Sequence, residues 1–216
     1  MVEGAKGWSW PLHGIRLRTA DLDLTVMTEA DLPTLCALLP HDLQLNPHAT
    51  TYAGLDVPTN RRAVLAQGYW RALGMWSPDD WALPFVVRLA GSVVGAQWLE
   101  GPDWRADRTV DSSSWLVAEA RGRGLGTQMR AAVLALAFGP LQARAAISSA
   151  VADNASSLGV SRSLGYRDTH RSVLEHSGET LQHVRLERDT WEASGRSAHV
   201  VVEGVDPALP LFGLAP

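Results

Sequence analysis

The residues best suited to chemistry lie in one stretch, Trp115-Leu116-Val117-Ala118-Glu119-Ala120-Arg121-Gly122-Arg123-Gly124-Leu125-Gly126-Thr127. Gly122, Gly124 and Gly126 stand at alternate positions, flanked by Arg121 and Arg123. An apolar run precedes them and an amphipathic segment, Leu125 to Phe138, follows. The reading is strand, glycine turn, helix. Such a turn leaves backbone N–H groups unpaired at the positive end of a helix, which suits a phosphate. Glycine is needed there because a Cβ would hinder both the turn and the approach of an anion.

Two common nucleotide folds fit this turn badly. A dinucleotide-binding unit places its strand and glycine turn early in a βαβ repeat, with an acidic residue about 20 residues on. Here the turn follows three antiparallel-type strands, and no second βαβ half comes after it. A P-loop fails because Gly-Lys-Ser/Thr is absent.

The elements that must position the turn follow from period and punctuation. Leu22, Leu24 and Val26 alternate with polar residues as a half-buried strand does. Thr28 with Asp31 caps a helix carrying Leu32, Leu35, Leu38 and Leu39, stopped by Pro40. Residues 41–58 read as loop, and Thr59 or Asn60 as the cap of a second helix reaching Leu73. Trp81 to Leu89 and Val93 to Leu99 form a hairpin around Ala90-Gly91-Ser92. Residues 103–109 are a charged loop, and Val110 to Val117 is the strand feeding the turn. In the helix after it, Leu125, Met129, Ala132, Val133, Leu136 and Ala137 share a face; Gly139-Pro140 ends it. Ala143 to Ala152 is a strand buried on both faces. Asp153-Asn154 begins another helix, ended by Gly165. Arg167 to His176 and Thr180 to Arg188 form a second hairpin turned by Ser177-Gly178. Residues 1–20 show no clear period, with Trp8 and Trp10 in an arm packed on the domain. Ala198 to Val202 is an edge strand. A parallel pair with a right-handed crossover spans 110–152, so the sheet is mixed. The fold class is α/β (α+β).

Bulk composition bounds the rest. At 216 residues, 46% hydrophobic and 19% charged, the chain can bury a substantial core. A formal net charge of −4 gives no basic footprint for nucleic acid. One cysteine, Cys36, excludes an internal disulfide framework and favours a reducing compartment. No run reaches the ~18 apolar residues of a membrane span, and none of signal-peptide length follows Lys6. The expectation is a soluble cytoplasmic protein. His41, His48, His170, His176 and His183 are scattered without metal-ligand spacing, so no metal is expected.

Two motifs together resemble the GNAT superfamily of acyl-CoA-dependent N-acetyltransferases. Arg121-Gly122-Arg123-Gly124-Leu125-Gly126 matches its pyrophosphate loop, Arg/Gln-x-x-Gly-x-Gly/Ala. Asn154-Ala155-Ser156-Ser157-Leu158-Gly159-Val160-Ser161-Arg162-Ser163-Leu164-Gly165-Tyr166 resembles Asn-x-x-Ser-x-x-Val-x-x-x-Leu-Gly-Phe, the helix beside the pantetheine arm. Leu186 to Trp191 resembles the closing strand of the RimJ/RimL branch. The resemblance covers about 24–191. It implies the GNAT fold: a mixed, mostly antiparallel central sheet with a parallel splayed pair and helices on both faces. The domain would span 1–192, including the arm (1–20), with 193–216 as a C-terminal extension.

The resemblance also implies roles. Acetyl-CoA is the co-substrate. Backbone N–H groups of Arg123 to Thr127 hold its pyrophosphate, with charge from Arg121 or Arg123. Pantetheine pairs with the backbone of Leu116 and Val117. A backbone N–H polarises the thioester carbonyl, and the amine attacks without an acyl-enzyme. Asp111, four positions before Trp115, is the candidate base, through a water relay; Glu100 is the second. Where many members carry a tyrosine acid, this chain has Ser161. Ser157, or a water it holds, is left to stabilise the departing thiolate. Asn154 caps its helix and can touch pantetheine. Tyr166 and Cys36 read as packing residues.

The acceptor is expected between the 41–81 region, with Tyr52, Tyr69, Trp70, Trp76 and Trp81, and the 167–185 hairpin. An aromatic mouth suits a peptide N-terminus, and Asp79-Asp80 is a weak attraction for a cation. A protein or peptide α-amine leads. A small-molecule amine, as in antibiotic self-protection, and a non-catalytic acyl-CoA-binding module are the alternatives. A donor such as succinyl-CoA would need basic residues near the thioester, which sequence does not place. Val200-Val201-Val202 offers an apolar edge through which two subunits can pair as a homodimer.

Overall fold

The computed structural model describes residues 9–43, 49–175 and 177–215. Trp8, His48 and His176 lie outside them. Short alternating segments build one nine-stranded sheet. Its strands are β1 (Arg16–Arg18), β2 (Leu22–Val26), β3 (Trp81–Leu89), β4 (Ser92–Gly101), β5 (Thr109–Leu116), β6 (Ala145–Val151), β7 (Arg167–Val173), β8 (Thr180–Glu187) and β9 (Val201–Glu203). They lie side by side as β7-β8-β6-β5-β4-β3-β2-β1-β9. Every pairing is antiparallel except β5 with β6. The mixed sheet with one parallel pair is as expected. The β3–β4 turn works because Ala90 and Gly91 both take positive φ, +47° and +84°, the backbone of a two-residue hairpin.

Helices cover both faces. On one lie α1 (Leu32–Leu38) and α2 (Val57–Gly74); their Leu35, Leu65 and Tyr69 pack on Val86, Ala96 and Trp115. On the other lies α4 (Leu125–Phe138), whose Met129, Val133 and Leu136 join the cluster of Leu83, Phe85, Val110 and Leu116. Each of those three side chains is at most 1% exposed, and each contributes about 1.5–3 kcal/mol by burial. α5 (Ala155–Ser163) packs beside α4, where Gly126 lets Val160 approach to 3.5 Å of an ideal Cβ position. α3 (Trp104–Asp107) and α6 (Arg188–Ala193) are short. Among the described residues no helix is long and apolar enough to cross a membrane.

Three local readings change. α2 begins at Val57, not at Thr59 or Asn60, because Asp56 caps it by accepting from Thr59 N at 2.8 Å and Pro58 fits the first turn. Asn60 instead ties down the preceding loop through both Tyr52 N (2.7 Å) and Tyr52 O (3.0 Å). The charged segment 103–109 contains a helical turn that buries Trp104 completely. The aperiodic N-terminus supplies β1, which pairs with β2 and with β9 from the chain's other end. Leu17 lies opposite both Leu24, close in sequence, and Val202 at the far end of the chain. β9 is the edge strand, confined to Val201–Glu203.

Candidate functional site

β5 and β6 pair only at Thr109↔Ala145 and Val110↔Ala146, then diverge. Ser148 Oγ spans the base of the gap by donating to Ser112 O at 3.1 Å. Above it opens a cleft of about 660 Å³, walled by Ser112 to Leu116 of β5, Ser148 to Val151 of β6, Gly126, Met129 and Arg130 of α4, and Asn154, Ser157 and Val160. Val117 N–H donates to Val94 O at 2.9 Å. By strand alternation the odd residues of β5 therefore face β4, and Ser112, Ser114 and Leu116 turn their backbone groups toward the gap. Leu116 O is taken by Arg121 Nε at 2.9 Å. Of the pair expected to hold pantetheine, Val117 N–H is committed to β4. The unpaired edge is offered by Leu116 N–H and by Ser114.

At the head of the cleft the glycine turn has the expected form. Gly122 and Gly124 take φ of +72° and +76°, and an added Cβ at either would meet nothing within 4 Å. The turn thus needs glycine for its backbone, and it faces open space. Gly124 caps α4 without a side-chain bond. The N–H groups of Gly122 to Gly126 donate to no acceptor among the described residues, whereas Thr127 N–H bonds Gly124 O at 3.1 Å. The free run is therefore Gly122–Gly126 rather than Arg123–Thr127. Five N–H groups at a helix N-terminus form an anion cradle. Arg121 and Arg123 both stand exposed beside it. Arg121, however, is held by Asp42, Nη1 to Oδ2 at 2.5 Å and Nη2 to Oδ1 at 2.9 Å. Asp42 also lines the cleft, a partner that the sequence did not suggest.

The α5 side divides the predicted residues. Asn154 lines the cleft and caps α5 by accepting from Ser157 N at 3.0 Å. Ser157 lines it as well. Ser161 is 1% exposed, its hydroxyl bonds Ser157 O at 3.3 Å, and it is absent from the cleft wall. Tyr166 is buried, as expected of a packing residue, yet its hydroxyl has no hydrogen-bond partner.

The two candidate bases come together, though not on the cleft wall. Glu100 and Asp111 are direct partners across the β4–β5 pair, on the sheet face that carries Trp115 and the α1–α2 layer. Burial, then the charges of Asp111 and Asp80, push Glu100 up to about 7. Burial raises Asp111 too, opposed by the Ser112 N–H that its Oδ1 accepts at 2.6 Å and by the Arg130 charge. Ser113, two residues on from Asp111 and on the same face, is exposed in the cleft.

The aromatic mouth is mostly not a mouth. Trp76, half-buried against the core, stacks on Trp81 at 5.8 Å, and both meet Phe212 edge-on; Trp81, Phe212 and Trp104 are inside the core. Tyr69 is 4% exposed. Only Tyr52 and Trp70, 43% and 51% exposed, remain on the surface. Burying apolar rings in the α2–β3 region outweighed exposing them. His170 and His183 stack 4.2 Å apart on β7 and β8, away from the cleft wall. Among the described residues no three potential metal ligands cluster. Cys36 is half-buried against the α1–α2 core, and burial raises its thiol.

The residue missed in sequence is Arg130. It is 3% exposed and lines the cleft. The signal was present: it is the only charged residue of α4, a helix buried on most of its surface.

Residues 21–167 match the family model described as the acetyltransferase (GNAT) domain. Among solved structures, the chain is similar to Mycobacterium smegmatis RimJ in complex with CoA-disulfide: 18% identity, covering 89% of this chain and 98% of that one, TM-score 0.64. It is also similar to a spermidine N-acetyltransferase SpeG chimera from Vibrio cholerae and hSSAT: 14% identity, 80% and 99% covered, TM-score 0.61. At such identities these likenesses speak for the fold. The domain match spans well over half the chain and contains both the splayed strands and the glycine turn, so the protein belongs to the GNAT acetyltransferase family and is an acetyl-CoA-dependent N-acetyltransferase.

Proposed function

We propose that the protein moves acetyl from acetyl-CoA directly onto the α-amine of a peptide or protein N-terminus. The observation that carries the donor half is the free N–H run Gly122–Gly126 at the head of a cleft whose β5 edge lacks a strand partner. The diphosphate would sit at that run, and pantetheine would take the place of the missing strand along Ser114 and Leu116. Asn154 and Ser157 border it from α5. Asp111 and Glu100 share the task of accepting the amine proton, through Ser113 or water, because neither carboxylate lines the cleft. Ser157 is the group placed to hydrogen-bond the departing thiolate; Ser161, committed to its own helix, is not. The RimJ/RimL-like segment Leu186–Trp191 favours an α-amine acceptor.

A second reading has its own support. The Glu100–Asp111 pair with Asp80 nearby would attract a polycationic small amine, and SpeG is named as a spermidine acetyltransferase. An amine panel with acetyl-CoA and thiol-release detection separates the two. Turnover on peptides with free α-amines, and little on polyamines, is expected; the reverse order would overturn the leading acceptor. We place the domain at 1–192, with 193–216 as its extension and a β9-edge homodimer, in the cytoplasm.

Arg121 gives a further test. Its Asp42 clamp is solvent-exposed on both sides, 41% and 66%, and a diphosphate would compete for the same guanidinium. Asp42→Asn is therefore expected to tighten acetyl-CoA binding a few-fold at low salt, within the range of surface ion pairs. Calorimetry showing weaker binding would mean that Asp42 holds Arg121 ready for the donor instead.

A further inference from the structure

The cleft wall includes a buried cation that has no assigned contact with the acetyl donor. Arg130 is buried at 3% exposure, and its Nε and Nη1 have no hydrogen-bond partner. Among the described residues no carboxylate lies within ion-pair distance of it. Two other buried groups stand beside it, Ser112 Oγ and the Tyr166 hydroxyl; the three interact with one another, but none of these contacts reaches good hydrogen-bond geometry. Asp111 feels the guanidinium charge, but its Oδ1 is turned to Ser112 N–H at 2.6 Å. A guanidinium and two hydroxyls thus converge, and the acceptors they offer one another are neutral hydroxyl oxygens. Buried charges without a paired carboxylate are unfavourable, so an anion here would be stabilising in addition to the more distant Asp111 charge.

The position selects the anion. Gly126 ends the free N–H run, and Arg130 lies one helical turn deeper, about 6 Å along α4. With the diphosphate at the turn and pantetheine along β5, the part of the donor that reaches the floor is the acyl group. Acetyl carries no charge to offer. A carboxylate at the end of a longer acyl chain matches a guanidinium fork, with hydroxyl donors beside it.

We propose that the cleft also takes short dicarboxylic acyl-CoA donors, of the succinyl class, with Arg130 binding the terminal carboxylate beside Ser112, and Tyr166 positioning the guanidinium from behind the cleft wall; this rests on the reading of the cleft as the acyl-CoA site. The transfer step is the same. The amine nitrogen bonds the thioester carbon, the C–S bond breaks with its electron pair leaving on sulfur, and the amine proton goes to the carboxylate pair. The terminal carboxylate is carried through unchanged into the amide product.

Calorimetry on the full chain, without acceptor, tests this with acetyl-CoA, succinyl-CoA and butyryl-CoA, the last matching succinyl in chain length without its charge. Wild type is expected to bind succinyl-CoA about 10- to 100-fold tighter than butyryl-CoA, the worth of a charge-assisted contact. Arg130→Met should erase that preference and Arg130→Lys restore part of it. Equal wild-type affinity for succinyl- and butyryl-CoA, with acetyl-CoA still bound, overturns this inference alone. So does an Arg130→Met variant that weakens all three donors equally, the mark of a structural counter-ion to Asp111. Failure to bind any of the three overturns the acyl-CoA reading itself. If Arg130→Met does not fold, the wild-type comparison still decides, with Tyr166→Phe as the variant expected to lower the succinyl preference.

Discussion

Gly124→Glu is expected to reduce acetyl-CoA affinity by at least about 100-fold, read by calorimetry. Two effects combine. Gly124 sits at φ +76°, where a side chain costs about 1–2 kcal/mol, and relief of that strain re-aims the neighbouring N–H groups. The added carboxylate would then occupy the open space in front of the turn, where an ideal Cβ meets nothing within 4 Å. There it would satisfy the Gly122–Gly126 donors from within and repel the diphosphate. A loss of about 2.7 kcal/mol corresponds to the 100-fold quoted. Gly124→Ala separates the effects, because it carries the strain without the charge; a loss of about 5- to 10-fold is expected. If the Glu variant, folded by circular dichroism, binds acetyl-CoA within about threefold of wild type, the diphosphate does not sit at this turn.

How much of this was legible before the structure depends on the distance over which each feature is decided. α4 could be bounded from residues alone, since the glycine turn, an apolar face and Gly139-Pro140 are all local signals. The β3–β4 hairpin was equally plain in Ala90-Gly91. β1 was not, because three residues carry almost no period, and the edge strand read at Ala198 to Val202 could be given no partner, since β9 pairs with β1 from the far end of the chain. The tryptophans misled for a related reason. A ring in a loop-like stretch reads as surface, whereas Trp76 is drawn inward by Phe212, more than a hundred residues later, and bonds Leu211 O at 2.9 Å. Ser161 stood at the right motif position, but only coordinates show its hydroxyl spent on Ser157 O. Arg130 shows the opposite failure. Its burial could be inferred from a helix apolar nearly all round, yet what it faces depends on Ser112 and Tyr166 from two other elements. Residue identity thus marked the donor end well, because a phosphate cradle is a local backbone device. The acyl and acceptor ends are assembled across strands and were only partly visible.

The largest pH effects are expected at the Glu100–Asp111 pair. The antiparallel register places the two carboxylates directly opposite each other, so ionising one disfavours ionising the other. Glu100 titrates at about 7, mainly because it is buried, then because of Asp111 and Asp80. Asp111 is also raised by burial, but the Ser112 N–H and the Arg130 charge hold it back. Glu100 is therefore the more readily protonated of the two, and Asp111 is the one proposed as base. Asp111→Asn should lower the rate at pH 7 by about 10²–10³-fold, and by less above about pH 9, where more of the acceptor amine is already neutral. Glu100→Gln should keep much of the activity and leave the acidic limb of the pH–rate profile in place, because the amide replaces a carboxyl that is already protonated on the acidic side. The same pair fixes the sign of a stability change. A carboxyl whose folded value is raised from 4.5 to about 7 stabilises the native state relative to its ionised form only while protonated. That contribution is full below about pH 4.5 and is lost as pH rises through 7. Glu100→Gln should thus match wild type in denaturant stability near pH 4 and exceed it at pH 8, by up to about 3 kcal/mol. Equal stability at both pH values would show that Glu100 is not held protonated by its surroundings. An unchanged pH–rate profile in Asp111→Asn would remove it as the base and leave the proton to solvent.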